Sequence, residues 1–225
     1  MTRQSLVLAT PENCIIDKLI AEWDKQLTAL KVPKAALASV RTYEGQLKPD
    51  KVYGVYVLCT PDGNGGGHGP FDAFVHINHA FPRSPKPTLR LTWNRLAPRF
   101  ESVADPGAEH ARVFSGIIGN ALSLSEGSLK SSEIKVYLYN AADRNFSRAF
   151  AASLTGVALP LHVAVRGNWL HIEWRQRLDM DKINEALLEA ALAAARAIGD
   201  DLLAMSCFVS NWRMQAEEAP QLEAA

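Results

Sequence analysis

The sequence predicts an α/β (α+β) domain, a mixed central sheet flanked by helices, with a helical extension at its C-terminal end. Three neighbouring stretches carry that prediction. Residues Thr88–Leu96 alternate apolar and polar, so they form a strand with Leu89, Leu91 and Trp93 on one face and Arg90, Thr92 and Asn94 on the other. Asp105-Pro-Gly-Ala-Glu then opens a helix, with an acceptor side chain at the cap, proline in the first turn and a carboxylate four residues on. Residues 134–139 are a second strand, closed by Asn140-Ala-Ala-Asp-Arg-Asn145. A strand–helix–strand order needs a crossover and predicts parallel neighbours, and open sheets bind ligands at the end such strands share.

The other elements follow in order. Residues 4–9 are short and apolar, a first strand. Thr10-Pro-Glu-Asn caps a helix over about residues 14–30, with Ile15, Leu19, Trp23 and Leu27 as its buried stripe. Residues 34–40 continue as a short helix or become extended. Residues 51–59 are rich in β-branched and aromatic side chains, which favours a strand, and residues 71–80 form its hairpin partner. The glycine-rich stretch between them is a hairpin tip that could close over a substrate; it lacks the Gly-Lys-Ser/Thr and the following helix of a phosphate-binding loop. Residues 81–87 hold too many prolines for a central strand and read as a connection. The Asp105 helix should carry Val113, Ile117, Ala121 and Leu124 inward and stop near Gly127, and a short helix should cover residues 145–154. Residues 161–174 are two alternating strands joined at Gly167-Asn168. Asp179 begins a long helix with Ile183, Leu187, Ala191 and Ala194 on one side. Gly199-Asp-Asp should interrupt it before a second piece over residues 202–213 and a frayed end. The expected division is a domain over residues 1–176 and an extension over 177–225, packed on that domain or on a second copy, as in a homodimer.

The 24 basic and 24 acidic side chains cancel without like-charge blocks, so neither nucleic acid nor an anionic membrane is an expected partner. Cys14, Cys59 and Cys207 are odd in number and far apart, which argues against a disulfide framework or a CxxC metal site. No stretch approaches the roughly 20 continuous apolar residues of a spanning helix. The chain reads as a soluble protein of the cytoplasm.

The order β–α–(α)–β–β–β–α–β–α–β–β over about residues 4–174 resembles the GNAT-type N-acetyltransferase superfamily. Leu8-Ala-Thr-Pro-Glu-Asn13 resembles that family's opening strand and turn. Leu96-Ala-Pro-Arg99 is similar to the run leaving its central strand, and the stretch from Asn140 to Phe150 to its late strand and helix. The resemblance implies an acyl- or acetyl-coenzyme A-dependent N-acyltransferase acting on a small amine, with the thioester entering where the central strand splays from its neighbour. It places cofactor contacts at Leu96, Ala97, Arg99, Gly107, Ala108, Arg112, Asn140 and Arg144, with a helix N-terminus and arginines holding the phosphates. The usual carboxylate base has no equivalent here; His76 stands in for it if its face of the strand lines the cleft, and is otherwise a hydrogen-bonded strand histidine. Backbone N–H groups after Asn94 would hold the oxyanion.

The departures imply an alternative. Phe150 falls where the family often has a proton-donating tyrosine. The stretch from Phe100 to Gly107 carries two carboxylates where phosphates would sit, and Gly116-Ile-Ile-Gly119 falls inside the helix. A non-catalytic binding or assembly module fits those features, and an acyl-carrier-dependent synthase is a third reading. His68, His76 and His79 suggest zinc, but strand residues three apart face opposite sides, so no metal is expected. His171 and Glu173, opposite His162, are a catalytic pair or a cross-strand contact. Arg144 and Arg148 clamp an anion or line a solvated helix face.

Overall fold

The elements fall in the expected order: β1 (Ser5–Leu8), α1 (Ile15–Leu30), α2 (Ala38–Glu44), β2 (Tyr53–Pro61), β3 (His68–His79), β4 (Thr88–Leu96), α3 (Pro106–Glu126), β5 (Glu133–Tyr137), α4 (Ala141–Leu154), β6 (Leu161–Arg166), β7 (Trp169–Trp174) and α5 (Met180–Ile198). They are seen in a computed structural model that describes residues 4–44, 53–61, 68–79, 86–102 and 105–205. The expected glycine-rich tip, the proline-rich connection, Cys207 and the tail lie mostly or wholly outside the described residues.

Seven strands form one mixed sheet in the order β1-β2-β3-β4-β5-β7-β6. β1 to β4 pair antiparallel, as do β5, β7 and β6, and the parallel β4–β5 contact joins the two halves. The fold class is therefore the predicted one, a mixed sheet flanked by helices with GNAT-like element order. Local chemistry explains the helix starts. Asp105 accepts from the Ala108 N–H at 2.9 Å to begin α3. Asn140 and Asp143 form a reciprocal capping box on α4, which therefore starts four residues before the predicted position. Asp179 caps α5. The β6–β7 turn places Gly167 at φ 58°, where a side chain would be strained.

α5 packs against α3 and α4. Its inward face is Ile183, Ala186, Leu187, Ala190, Ala191, Ala194 and Ala195, and these small side chains let the helices approach closely. Phe114 of α3 meets Phe146 and Phe150 of α4 edge-on at 5.1 and 4.9 Å. On α1, Trp23 is fully buried and donates its indole N–H to the Phe71 carbonyl at 3.1 Å, tying that helix to β3. The α5 helix passes directly into a 3-10 turn at Gly199–Ala204, and the second helical piece expected over residues 202–213 lies mostly outside the described residues.

One alternation was misjudged by the sequence pattern. His76 of β3 pairs with Trp93 of β4, but the next residue, Ile77, pairs with Leu91, so Thr92 is an extra residue in β4. This β-bulge turns everything beyond it over. Trp93 and Arg95 share the face of Phe74 and His76, while Asn94 and Leu96 join Leu89 and Leu91 on the other. Trp93 thus leaves the predicted apolar face, and Asn94 leaves the predicted polar one. A second bulge lies at Asp72, where Leu58 pairs with Ala73 and Cys59 with Phe71.

Candidate functional site

β4 outruns its parallel neighbour. Thr88, Leu89, Arg90 and Leu91 pair with Glu133, Ile134, Lys135 and Val136, and the pairing stops there while β4 continues to Leu96. The bulge at Thr92 lies at the point of parting, which gives the separation a cause: a bulged strand bends and twists away from its neighbour. On the other side the Leu138 N–H goes to the Asn168 carbonyl at 2.9 Å, holding the end of β5 toward β7. The result is a gap in the strand pairing between residues 92–96 and residues 138–140. Tyr139, 43% exposed, crosses it and donates its hydroxyl to the Thr92 carbonyl at 2.5 Å.

Two side chains beyond the parting are buried with their polar groups. Asn94 is 2% exposed, and neither its Oδ1 nor its Nδ2 has a hydrogen-bond partner among the described residues. An unmatched buried polar group costs about 1–3 kcal/mol, so a native fold keeps one chiefly where something else completes it. Arg95 is 8% exposed with its guanidinium 5.5 Å from the Trp93 ring. Burial pulls its pKa down to about 10, against the opposing influence of Tyr139. The rings of Tyr137, Tyr139 and Trp169 stand edge to face at 4.9 and 5.0 Å, lining the β5 side.

His76 is half-buried, with Nδ1 2.7 Å from the Thr92 Oγ1. Burial lowers its pKa, which favours the neutral imidazole a base requires. His76 and Asn94 do not converge, because the bulge puts them on opposite faces of the sheet.

The predicted phosphate contacts divide into two groups. Leu96 and Ala97 are buried in the core, and the Ala97 N–H is spent on the Asp72 carbonyl at 2.9 Å. Arg99 and Arg112 do come together, but on a carboxylate of the protein itself. Asp72, 1% exposed, takes Arg99 on one oxygen and Arg112 on the other at 3.2 Å, and Gln4 donates to it as well. Arg99 also reaches Glu22 at 3.1 Å, and Arg112 reaches Glu109 at 2.9 Å. This network lines a groove of about 630 Å³ beside Ser115, Gly116 and Asn120. At the start of α3, Pro106 has no N–H, and the Ala108 and Glu109 N–H groups go to Asp105. Gly107 packs between the Asp105 carboxylate and Ala195. Asn140 and Arg144 form the second group, at the start of α4. Asn140 is used as a helix cap, and Arg144 lies 3.4 Å from the Asn168 side chain. The α3 end does not fit a coenzyme A diphosphate: its arginines and most of its first-turn donors are already engaged.

Sequence reasoning missed the Asp72 hub. Its signal was a lone carboxylate between Phe71 and Ala73 in an apolar strand, which can be buried only with cationic partners. Tyr139 was read as part of a strand, and nothing in its spacing showed a hydroxyl crossing to β4. His171 pairs with Glu133 at 2.8 Å, while Glu173 is held by Arg166 and Lys86. Glu133, His171 and Glu173 could together offer ligand atoms within 4.8 Å, but Lys135 also reaches Glu133 at 3.3 Å, so their charge is already balanced.

No protein-family model matches the chain, and no curated protein does. Among solved structures, a chain of the crystal structure of a KacTA–DNA complex is similar over 68% of this chain and 86% of its own, at 12% identity and a TM-score of 0.37. A likeness at that level carries no argument about function. Among the described residues, no helix is long and apolar enough to cross a membrane.

Proposed function

We propose that the chain is an acyl-thioester-dependent N-acyltransferase acting on a small amine, with the thioester seated between β4 and β5. The supporting observation is the parting of the two strands: β4 runs to Leu96 while its parallel pairing ends at Leu91. Acetyl- or acyl-coenzyme A is the donor class that the GNAT-like element order suggests, and it enters as a substrate. The chain's own contribution is mainly positioning, which can supply several kcal/mol when the reacting groups are held at attack distance. His76, held by Thr92 and kept neutral by burial, takes the proton from the acceptor ammonium; the free amine forms the C–N bond as the C–S bond breaks, and the departing thiolate receives the proton His76 has taken.

A second reading, a binding or assembly module without transfer activity, is favoured by the Asp72 network, which consumes the arginines a diphosphate would need. Thermal unfolding with coenzyme A and acetyl-coenzyme A separates the two. A ligand at about 100 times its dissociation constant stabilises the folded state by about 2.7 kcal/mol. A shift with the thioester supports the transferase, and turnover of acetyl-coenzyme A with a panel of amines tests it directly. No shift with any thioester in a well-folded sample overturns the transferase reading.

A further inference from the structure

We infer that one face of the sheet carries an oxyanion-binding strip centred on Arg90 of β4, which takes a carboxylate or phosphate group attached to a flat apolar body. This goes beyond the acyl-transfer reading and does not depend on it.

The pairing register builds the strip. Asn78 of β3 lies opposite Arg90, Arg90 opposite Lys135 of β5, and Lys135 opposite His171 of β7. Directly opposed residues share a face, with neighbouring strands about 5 Å apart. The alternate positions Leu89, Leu91, Ile134 and Ile172 are fully buried on the other face.

Arg90 differs from the arginines near it. Arg99 and Arg112 are each held by carboxylates, and Arg95 lies against the Trp93 ring. Arg90 is half-buried, makes no ion pair among the described residues, and encloses an Nε with no hydrogen-bond partner there. The carboxylates of its face are spent elsewhere. Glu133 accepts from His171 at 2.8 Å, Thr88 at 3.0 Å and Lys135 at 3.3 Å, while Glu173 is held by Lys86 and Arg166. A partly desolvated guanidinium without a counter-ion favours an anion, and its planar fork matches carboxylate and phosphate oxygens. The carboxamide of Asn78 stands beside it on the neighbouring strand and can add an N–H donor.

The adjoining register pair gives the body of the ligand its place. Tyr137 lies opposite Trp169, two residues along from Lys135 and His171 and on the same face, with the two rings edge to face at 5.0 Å. An aromatic group attached to the anion would cover these rings and shield the ion pair from water.

The test is calorimetric titration of the full chain, at fixed ionic strength, with benzoate, phenyl phosphate, acetate and the neutral benzamide. Benzoate or phenyl phosphate should bind at least about tenfold more tightly than benzamide, and the tighter of the two anions names the acid class. No binding of either below about 10 mM overturns the inference, and so does benzamide binding as well as benzoate. Arg90→Gln should weaken the anion by about tenfold or more and should fold, since the arginine has no ion pair to lose. Arg148→Gln, at an exposed position on α4, should leave binding unchanged; an equal loss in both variants means diffuse attraction and overturns the site. Tyr137→Leu should weaken benzoate and leave acetate as it was, and unchanged benzoate binding overturns the place given to the ring.

Discussion

Replacing Asn94 by leucine should make the protein more stable, which is unusual for a core position. The two side chains have the same branched skeleton, so the change exchanges Oδ1 and Nδ2 for methyl groups with little alteration of shape. Asn94 is 2% exposed and its carboxamide has no partner among the described residues, so the wild-type fold bears the desolvation of that group without a compensating bond. Removing one unmatched polar group recovers about 1–3 kcal/mol, and the two methyl groups gain apolar burial in addition. Leucine is somewhat bulkier, and overpacking takes back about 1 kcal/mol. The net expectation is a gain of about 1–2 kcal/mol in unfolding free energy, read as a higher urea midpoint at unchanged slope. A loss of more than about 1 kcal/mol would refute the reasoning, because it would mean that the carboxamide is satisfied inside the protein.

Four other outcomes can be checked directly. Arg99→Ala should destabilise the fold by about 2–3 kcal/mol in denaturant unfolding, because Asp72 keeps its burial but loses half its cation; the figure is discounted for the arginine's 28% exposure. Lys31→Gly, at the end of α1 with φ 57°, should raise stability by about 0.5–1 kcal/mol, read from the thermal midpoint. Because burial lowers the His76 pKa from its ordinary 6.5, the unfolded chain binds more protons there. Stability is then complete above pH 6.5 and falls as pH drops through the folded value, and His76→Asn should flatten that part of a stability–pH curve. Iodoacetamide should label exposed Cys14 before Cys59, whose buried thiol is pushed up to about 11, and mass mapping of the adducts would show the order.

The fold was legible because its signals were local. Proline and Asp105 at the start of α3, the alternation in β6 and β7, and the apolar stripe of α1 each depend on a few neighbouring residues, and each element formed where its pattern lay. The site was less legible because it depends on pairing between distant segments. Nothing in Leu91-Thr-Trp shows that one residue bulges; that follows from packing against β3, and it reversed the predicted orientation of Trp93 and Asn94. Arg99 and Arg112, expected to add charge for a pyrophosphate, meet instead on a carboxylate of the protein. Their common partner, Asp72, comes from a strand about thirty to forty positions earlier, beyond the reach of spacing arguments.

The extra residue at Thr92 also limits how this chain can change over time. Losing that single codon would restore strict alternation, swinging the indole of Trp93 toward the packed interior and the Asn94 carboxamide toward the opposite side. Core composition and ligand chemistry in this strand are thus tied to one reading frame of the pleat, and length variation between Leu91 and Leu96 should be purged far more strongly than any exchange of side chains there.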